Sequence, residues 1–351
     1  MLFGKKTNLV GLDIGSRTIK AGEIAETKKG RMLKKFGTID LPIGVIEDGT
    51  IKDPDTAAEL IRQLFRNLSI RNQNVAISIG GYSVIVKKIN VQKMDEDKLQ
   101  ESIHLEAEQY IPFDISDVNI DFQILGEADG NPNQMNVLLV AAKKEMVTDY
   151  VNLVQLAGLN PCLIDVDAFA LQNIFELNYD LEDGNVALID IGASKTSLNI
   201  LKNSTSVFMR DVSLGCGQIN QRIASQTDCS LEAAEQLKFT DQPDGISREE
   251  LNGIITSVIT DWCTEIRRAL DFFYSTYPDD QIRRIALSGG GANIKEFRDL
   301  LADEASTEVE IIQPFNCFEM DSGKLDLAYL EKNAPQAAIC MGLSIRRMDD
   351  K

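Results

Sequence analysis

The 351-residue chain carries 36 Lys and Arg against 54 Asp and Glu, a formal charge of −18. That balance repels nucleic acid and anionic lipid except at a local basic patch, and the sequence shows none. The length calls for two lobes or several subdomains, no run approaches the roughly 20 apolar residues of a membrane helix, and the opening Met1–Lys6 is too short for a signal peptide, so a cytoplasmic location is expected.

Strand character opens the chain at 8–14, 18–25 and 31–41, joined by glycine-containing turns into a meander. Asp53-Pro54 then reads as a helix cap and first-turn pair, and Ala57, Leu60, Ile61, Leu64, Phe65 and Leu68 form one apolar helical stripe. A strand at 74–79 ends in Gly80-Gly81. From about Tyr82 to Asp165 the order is strand, helix, strand, turn, strand, helix, strand, with strands at 84–91, 118–125 and 137–142 and helices at 95–109 and 144–157. This predicts a small α/β subdomain inserted into the first half. His104, the single histidine, lies where Leu99, Ile103 and Ala107 repeat every four residues and reads as structural. The six cysteines, Cys162, Cys216, Cys229, Cys263, Cys317 and Cys340, contain no C-x-x-C pair. Neither a zinc site nor a disulfide framework is expected, and small buried thiols are.

The second half begins as the first does. Asn8-Leu-Val-Gly-Leu-Asp-Ile-Gly15 is answered by Asn185-Val-Ala-Leu-Ile-Asp-Ile-Gly192, and after one extra residue Ser16-Arg17-Thr18 by Ser194-Lys195-Thr196. Both copies read strand, glycine turn, strand. The stretch 214–278 is mostly helical, with a long periodic segment at 249–277, and forms the matching insertion. A strand at 282–287 follows, and the chain closes with a helix near 334–346.

Two such turns facing each other would grip one polyphosphate from opposite sides. Glycine removes the Cβ that would keep backbone amides from phosphate oxygens, and Gly15 and Gly192 supply it. Magnesium retains several waters and touches one or two carboxylates, for which Asp13 and Asp190 are placed at the strand ends. Ser16, Thr18, Ser194 and Thr196 offer hydroxyls, and Arg17, Lys20 and Lys195 offset phosphate charge. A single Asp-Ile-Gly is often only a hairpin turn; two copies with matching flanks argue for a site. Ile285-Ala-Leu-Ser-Gly-Gly-Gly-Ala292 runs an apolar strand into Gly289, Gly290 and Gly291, where adenine and ribose could lie against backbone, although a generic strand-to-helix turn looks similar. Glu235 and Lys238, three apart, share one helix face, as a surface ion pair also would.

Together these motifs resemble the actin, sugar-kinase and Hsp70 superfamily, whose phosphate-1, phosphate-2 and adenosine motifs correspond to 13–20, 190–196 and 288–291. Lys20, followed by Ala21-Gly22, falls where the actin family places a phosphate-binding lysine, and Ala234-Glu-Gln-Leu-Lys238 is similar to the ribose-binding helix of bacterial members. The resemblance implies an α/β, actin-like (ribonuclease H-like) ATPase fold of two duplicated lobes, each with an insertion. In subdomain terms these are 1A at 1–82 and 166–187, an FtsA-type 1C insertion at 83–165, 2A at 188–213 and 282–351, and 2B at 214–281. The insertion, Glu106-Ala-Glu-Gln-Tyr-Ile-Pro-Phe113 and Asp165-Val-Asp-Ala-Phe-Ala-Leu171 are similar to the PilM family of type IV pilus assembly proteins. FtsA-like proteins end in an amphipathic membrane helix, whereas this chain ends in Ile345-Arg-Arg-Met-Asp-Asp-Lys351.

Membership implies ATP and Mg²⁺ in the cleft, with nucleotide state biasing the lobes and hydrolysis slow or absent. It also implies binding to the cytoplasmic N-terminal peptide of PilN, beside the insertion, with contacts to other pilus components or to itself. The protein would then lie at the inner membrane only through its partner. Asp167 falls where relatives place a water-orienting residue; an ordinary helix N-cap is the equal alternative. Two further readings are an FtsA-like filament or type II secretion homologue, and a sugar or acetate kinase, whose acceptor pocket and carboxylate base are not identifiable here.

Overall fold

A computed structural model describes residues 8–128, 130–179, 184–238, 240 and 245–350. In the first half, β1 (Val10–Ile14), β2 (Thr18–Thr27) and β3 (Gly30–Asp40) form the predicted meander. A two-stranded ribbon of β4 (Ile46–Glu47) and β5 (Thr50–Ile51) precedes α1 (Pro54–Leu68) and β6 (Asn74–Ile79). The Asp53 side chain accepts from the Thr56 amide and Pro54 takes the first turn, which starts α1 as the sequence implies. Its apolar stripe then buries Ala57, Ala58, Ile61, Leu64 and Phe65. The next elements are β7 (Val84–Gln92), α2 (Glu96–Ala107), β8 (Val118–Ala128), β9 (Asn131–Lys143), α3 (Lys144–Leu156), β10 (Asn160–Val166) and α4 (Asp167–Asn178).

The second half contains β11 (Asn185–Ile191), β12 (Thr196–Lys202), β13 (Thr205–Val212), α5 (Gly217–Thr227), α6 (Leu231–Leu237), α7 (Arg248–Thr276), β14 (Ile282–Ser288), α8 (Lys295–Ala305), β15 (Glu308–Ile311) and α9 (Leu327–Ser344). The two main sheets have one plan. Their orders are β10-β6-β1-β2-β3 and β13-β12-β11-β14-β15. In each, the two pairs within the opening three-strand meander (β1-β2-β3 and β11-β12-β13) are antiparallel and the other two parallel. The sequence repeat is therefore a repeat of architecture.

The predicted 83–165 insertion divides physically. β7, β9 and β8 form a separate three-stranded sheet, packed with α2 around Ile89, Leu99, Ile103, Val137 and Leu139. By contrast, β10 pairs with β6 in the first main sheet, and Tyr150, Leu153 and Val154 of α3 sit in that lobe's core. The apolar face of α3 decides this, because its burial is against α1 rather than the small sheet.

The closing helix starts earlier than the expected 334, at Leu327. Asp326 caps α9 by accepting from the Tyr329 amide, and the helix runs through Pro335, which removes a single donor from the ladder. The Pro335 carbonyl accepts instead from the Gly289 amide at 2.8 Å and Ser288 Oγ at 3.2 Å, tying α9 to the glycine triplet. The cysteines are less uniformly buried than expected: Cys263 and Cys340 are interior, Cys162 is exposed, and none of the six is in a disulfide.

One core joins the lobes. It contains Leu33, Phe36 and Ala76 from the first lobe, Val186, Leu188 and Ala286 from the second, and facing residues of α4 and α9. At Gly342 the helices approach so closely that an added Cβ would sit 1.8 Å from the Ala170 carbonyl oxygen. Backbone cannot yield cheaply there, so Gly342→Ala is expected to cost about 3 kcal/mol or more. Gly253, where an added Cβ meets nothing within 4 Å, is the control. Gly253→Ala should be neutral or stabilising by up to about 1 kcal/mol, because alanine restores helix propensity. Urea unfolding of the two variants tests this contrast.

Candidate functional site

The duplicated hairpins meet at the top of the inter-lobe cleft, a cavity of about 1320 Å³. On the first, Asp13 of β1 and Lys20 of β2 are register partners, and Lys20 Nζ donates to Asp13 Oδ2 at 2.9 Å in a buried setting. On the second, Asp190 is opposite Ser197, not a lysine, and its charge is met by Ser288 Oγ at 2.6 Å. Burial raises both carboxyls above their ordinary value, Asp13 against the opposing pull of Lys20 and Asp190 up to about 6.

The glycines' own amides are used within the turns. Gly15 N–H donates to Thr18 O at 3.2 Å and Gly192 N–H to Lys195 O at 2.9 Å, closing each turn on itself. Among the described residues the amides of Ser16, Arg17, Ala193 and Ser194 have no backbone acceptor in these turns. The turn tips approach each other directly, with Ser16 Oγ 3.1 Å from Ser194 Oγ. Four further contacts cross the cleft. Arg17 pairs with Glu235, Lys195 Nζ donates to Asp167 Oδ2 at 2.6 Å, Gly81 N–H to Asp211 Oδ2 at 2.6 Å, and Ser213 Oγ to the Tyr82 hydroxyl at 3.0 Å.

The family described as type IV pilus assembly protein PilM matches residues 11–348. The chain belongs to the PilM family. Its structure is similar to that titled PilM-PilN type IV pilus biogenesis complex, with a TM-score of 0.87 and 27% identity over 97% of this chain and 99% of that one. The ethanolamine utilization protein EutJ from Carboxydothermus hydrogenoformans aligns at TM-score 0.59 and 14% identity, covering 97% of this chain and 90% of its own. MreB 5 of Spiroplasma citri bound to AMPPNP aligns at 0.51 and 13%, covering 90% and 94%. These likenesses establish the actin-like fold.

Within this PilM-family fold, most residues singled out in the sequence line the cleft: Asp13, Gly15, Ser16, Arg17, Thr18, Lys20, Asp167, Asp190, Gly192, Ser194, Lys195, Glu235, Lys238, Gly289 and Gly290. Thr196 and Gly291 do not. Thr196 is buried in β12, where it pairs with Ile191 as Ile19 pairs with Ile14, and its hydroxyl donates to Leu214 O at 3.0 Å. Gly291 is a packing glycine, whose added Cβ would lie 2.4 Å from Ile191 Cγ2. Gly289 does carry the turn, with φ +84° and room for no side chain beside the Ile191 carbonyl.

Asp167 is the first residue of α4, after Val166, and makes no capping bond, so the cap reading fails. Burial opposes its ionisation, yet the charge and hydrogen bond of Lys195 and a hydrogen bond from Ser78 hold the carboxyl below its ordinary value. Glu235 reaches across to Arg17 instead of only sharing a face with Lys238, whose own pKa is lowered by burial. Sequence reasoning missed Ser78, Gly80, Gly81, Tyr82, Asp211 and Ser213, all on the cleft. The Gly80-Gly81 pair was the available signal: an added Cβ at Gly80 would strike Lys195 Nζ at 2.3 Å and Asp167 Oδ2 at 2.5 Å.

Among the described residues no three His, Cys, Asp or Glu side chains form a cage that could hold a metal by themselves. A magnesium ion here would need nucleotide oxygens and water to complete its octahedron, which suits the one or two carboxylates available.

The folded pKa of Asp190 lies above its unfolded value of 3.8, so its ionisation opposes folding. Stability from this group is full below the unfolded value and is lost as pH rises through about 6. Asp190→Asn, which keeps an acceptor for Ser288, should therefore exceed the parent in stability by roughly 1–3 kcal/mol at neutral pH. The advantage should vanish as pH falls to about 4, as read by urea unfolding without nucleotide.

Proposed function

We propose that the chain is an ATP-binding scaffold of the type IV pilus inner-membrane assembly platform, whose nucleotide state biases how its lobes sit. The observation that carries this reading is the meeting of the two duplicated turns at Ser16 and Ser194, across a cleft large enough for a nucleotide. The amides beyond Gly15 and Gly192, with the Ser16, Thr18 and Ser194 hydroxyls, would take phosphate oxygens, and Arg17, Lys20 and Lys195 would balance their charge. Asp13 and Asp190 would hold magnesium, directly or through its waters. Gly289 and Gly290 would pass the adenosine between the glycine turn and α6, where Glu235 and Lys238 meet the ribose.

Asp167 would orient the attacking water. It is occupied by Lys195, so the group that would activate water is neutralised until the phosphates draw the lysine away, which favours slow hydrolysis and a switching role.

The partner in this reading is the cytoplasmic N-terminal peptide of a PilN-type protein, seated beside the insertion. What supports this is that the similar structure is of a PilM-PilN complex and that the insertion exposes Leu105 and Ile124. No helix among the described residues is long and apolar enough to cross a membrane, so attachment to the inner membrane would pass through that partner. Further pilus components, or self-association, would complete the platform.

Calorimetry with magnesium-ATP tests the cleft. Asp13→Asn and Asp13→Ala should weaken binding by about 100-fold or more, a loss of about 2.7 kcal/mol; parental affinity in either variant rejects the assignment. Asp167→Asn should retain binding while lowering any hydrolysis by at least about tenfold. A synthetic PilN N-terminal peptide should bind the parent, and failure to bind rejects the partner.

A further inference from the structure

The short segment from β6 to β7 is where the cleft and the insertion are one piece of backbone. Gly80 passes beneath the Lys195–Asp167 ion pair with no room for a side chain. The next amide, of Gly81 at φ +87°, donates to Asp211 Oδ2 at 2.6 Å, and the Tyr82 hydroxyl accepts from Ser213. Asp211 and Ser213 stand at the end of β13, which pairs only with β12 in its sheet, so both grips come from the second lobe. The segment is also wired into the insertion at both of its connections. Gly81 O accepts from Val84 N at 3.0 Å at the start of β7, and Ser83 O accepts from Lys143 N at 2.9 Å at the end of β9.

Lys195 links this grip to the phosphate end of the cleft. Its ammonium bonds Asp167, and Asp211 is the second carboxylate acting on it, so one cation stands between two anions. A short bond from an amide to an ionised carboxylate is the strong kind, and its strength depends on nearby charge.

Resting on the nucleotide reading above, we propose that Asp211 is a latch that joins the phosphate end of the cleft to the insertion. With the cleft empty or holding a diphosphate, Lys195 remains between Asp167 and Asp211, and Asp211 holds Gly81. A nucleoside triphosphate draws Lys195 onto its terminal phosphate. Asp211 then faces Asp167 and the phosphate without the intervening cation, its grip on the Gly81 amide loosens, and the insertion turns more freely against the second lobe. Nucleotide state thereby reaches the partner-binding insertion through one backbone amide.

Hydrogen exchange of the peptide covering residues 78–86, in the full chain, tests this. In the parent, magnesium-AMPPNP should speed exchange at Gly81 by about tenfold and magnesium-ADP should not, which is the loss of about one charge-assisted hydrogen bond. Asp211→Asn retains an acceptor but loses the charge. It should exchange at the faster rate without nucleotide and respond to neither. Equal exchange in the parent and Asp211→Asn overturns the latch, as does an equal response to the two nucleotides when calorimetry shows both bound. If calorimetry shows no nucleotide binding, the nucleotide reading falls and the coupling with it. The empty-state comparison of parent and variant still decides whether the Asp211 charge orders the junction. Should Asp211→Asn fail to fold, Lys195→Met, which removes the cation, serves as the second arm: Gly81 should exchange at the faster rate without nucleotide, and parental exchange there overturns the proposal.

Discussion

The architecture depends on the close crossing of α4 and α9 at Ala170 and Gly342. Two lobes of the same plan could each fold around their own sheet, but a site between them exists only if their relative placement is defined. The shared core supplies that definition below the cleft, where Leu33, Phe36, Val186 and Leu188 pack with both helices. Interiors packed to this density resist gradual deformation, so the crossing fixes where the two lobes sit against each other. The hairpin tips therefore meet at one place, Ser16 against Ser194.

The cleft above this base is held by charge more than by apolar contact. Three carboxylates, buried Asp13 and half-buried Asp167 and Asp190, share the space with Lys20 and Lys195, and Arg17 closes one side through Glu235. The duplicated hairpins are alike in backbone and unlike in charge. Burial raises the pKa of both aspartates, but Asp13 has the opposing charge of Lys20 across the hairpin, whereas Asp190 has only serines, Ser197 opposite it and Ser288 bonded to it. Such an arrangement is costly when empty and is relieved by a ligand that brings both anionic oxygens and a divalent cation.

Chemistry and local pattern were legible residue by residue where they coincide. Asp13, Gly15, Asp190 and Gly192 stood out because a strand-turn-strand closed by glycine occurs twice with matching flanks, and the α1 stripe because its spacing is helical. The insertion was visible as a run of elements. That α3 and β10 belong to the first lobe was not, since burial against α1 and pairing with β6 are contacts between distant segments. The closing helix, expected near 334–346, begins at Leu327, capped by Asp326, and packs across both lobes.

The sequence by itself determined the family, the duplication, the fold and which carboxylates and cations could serve one cleft, because these rest on residue type and spacing along the chain. Only the tertiary structure decided that the turn glycines close their own hairpins, that Thr196 and Gly291 are packing residues, and that Asp167 answers to Lys195 instead of capping α4. It alone brought Gly81 to Asp211. Those partners are far apart in sequence, and no local propensity encodes the angle at which two lobes meet; that angle is set by how closely Gly342 lets one helix lie on another.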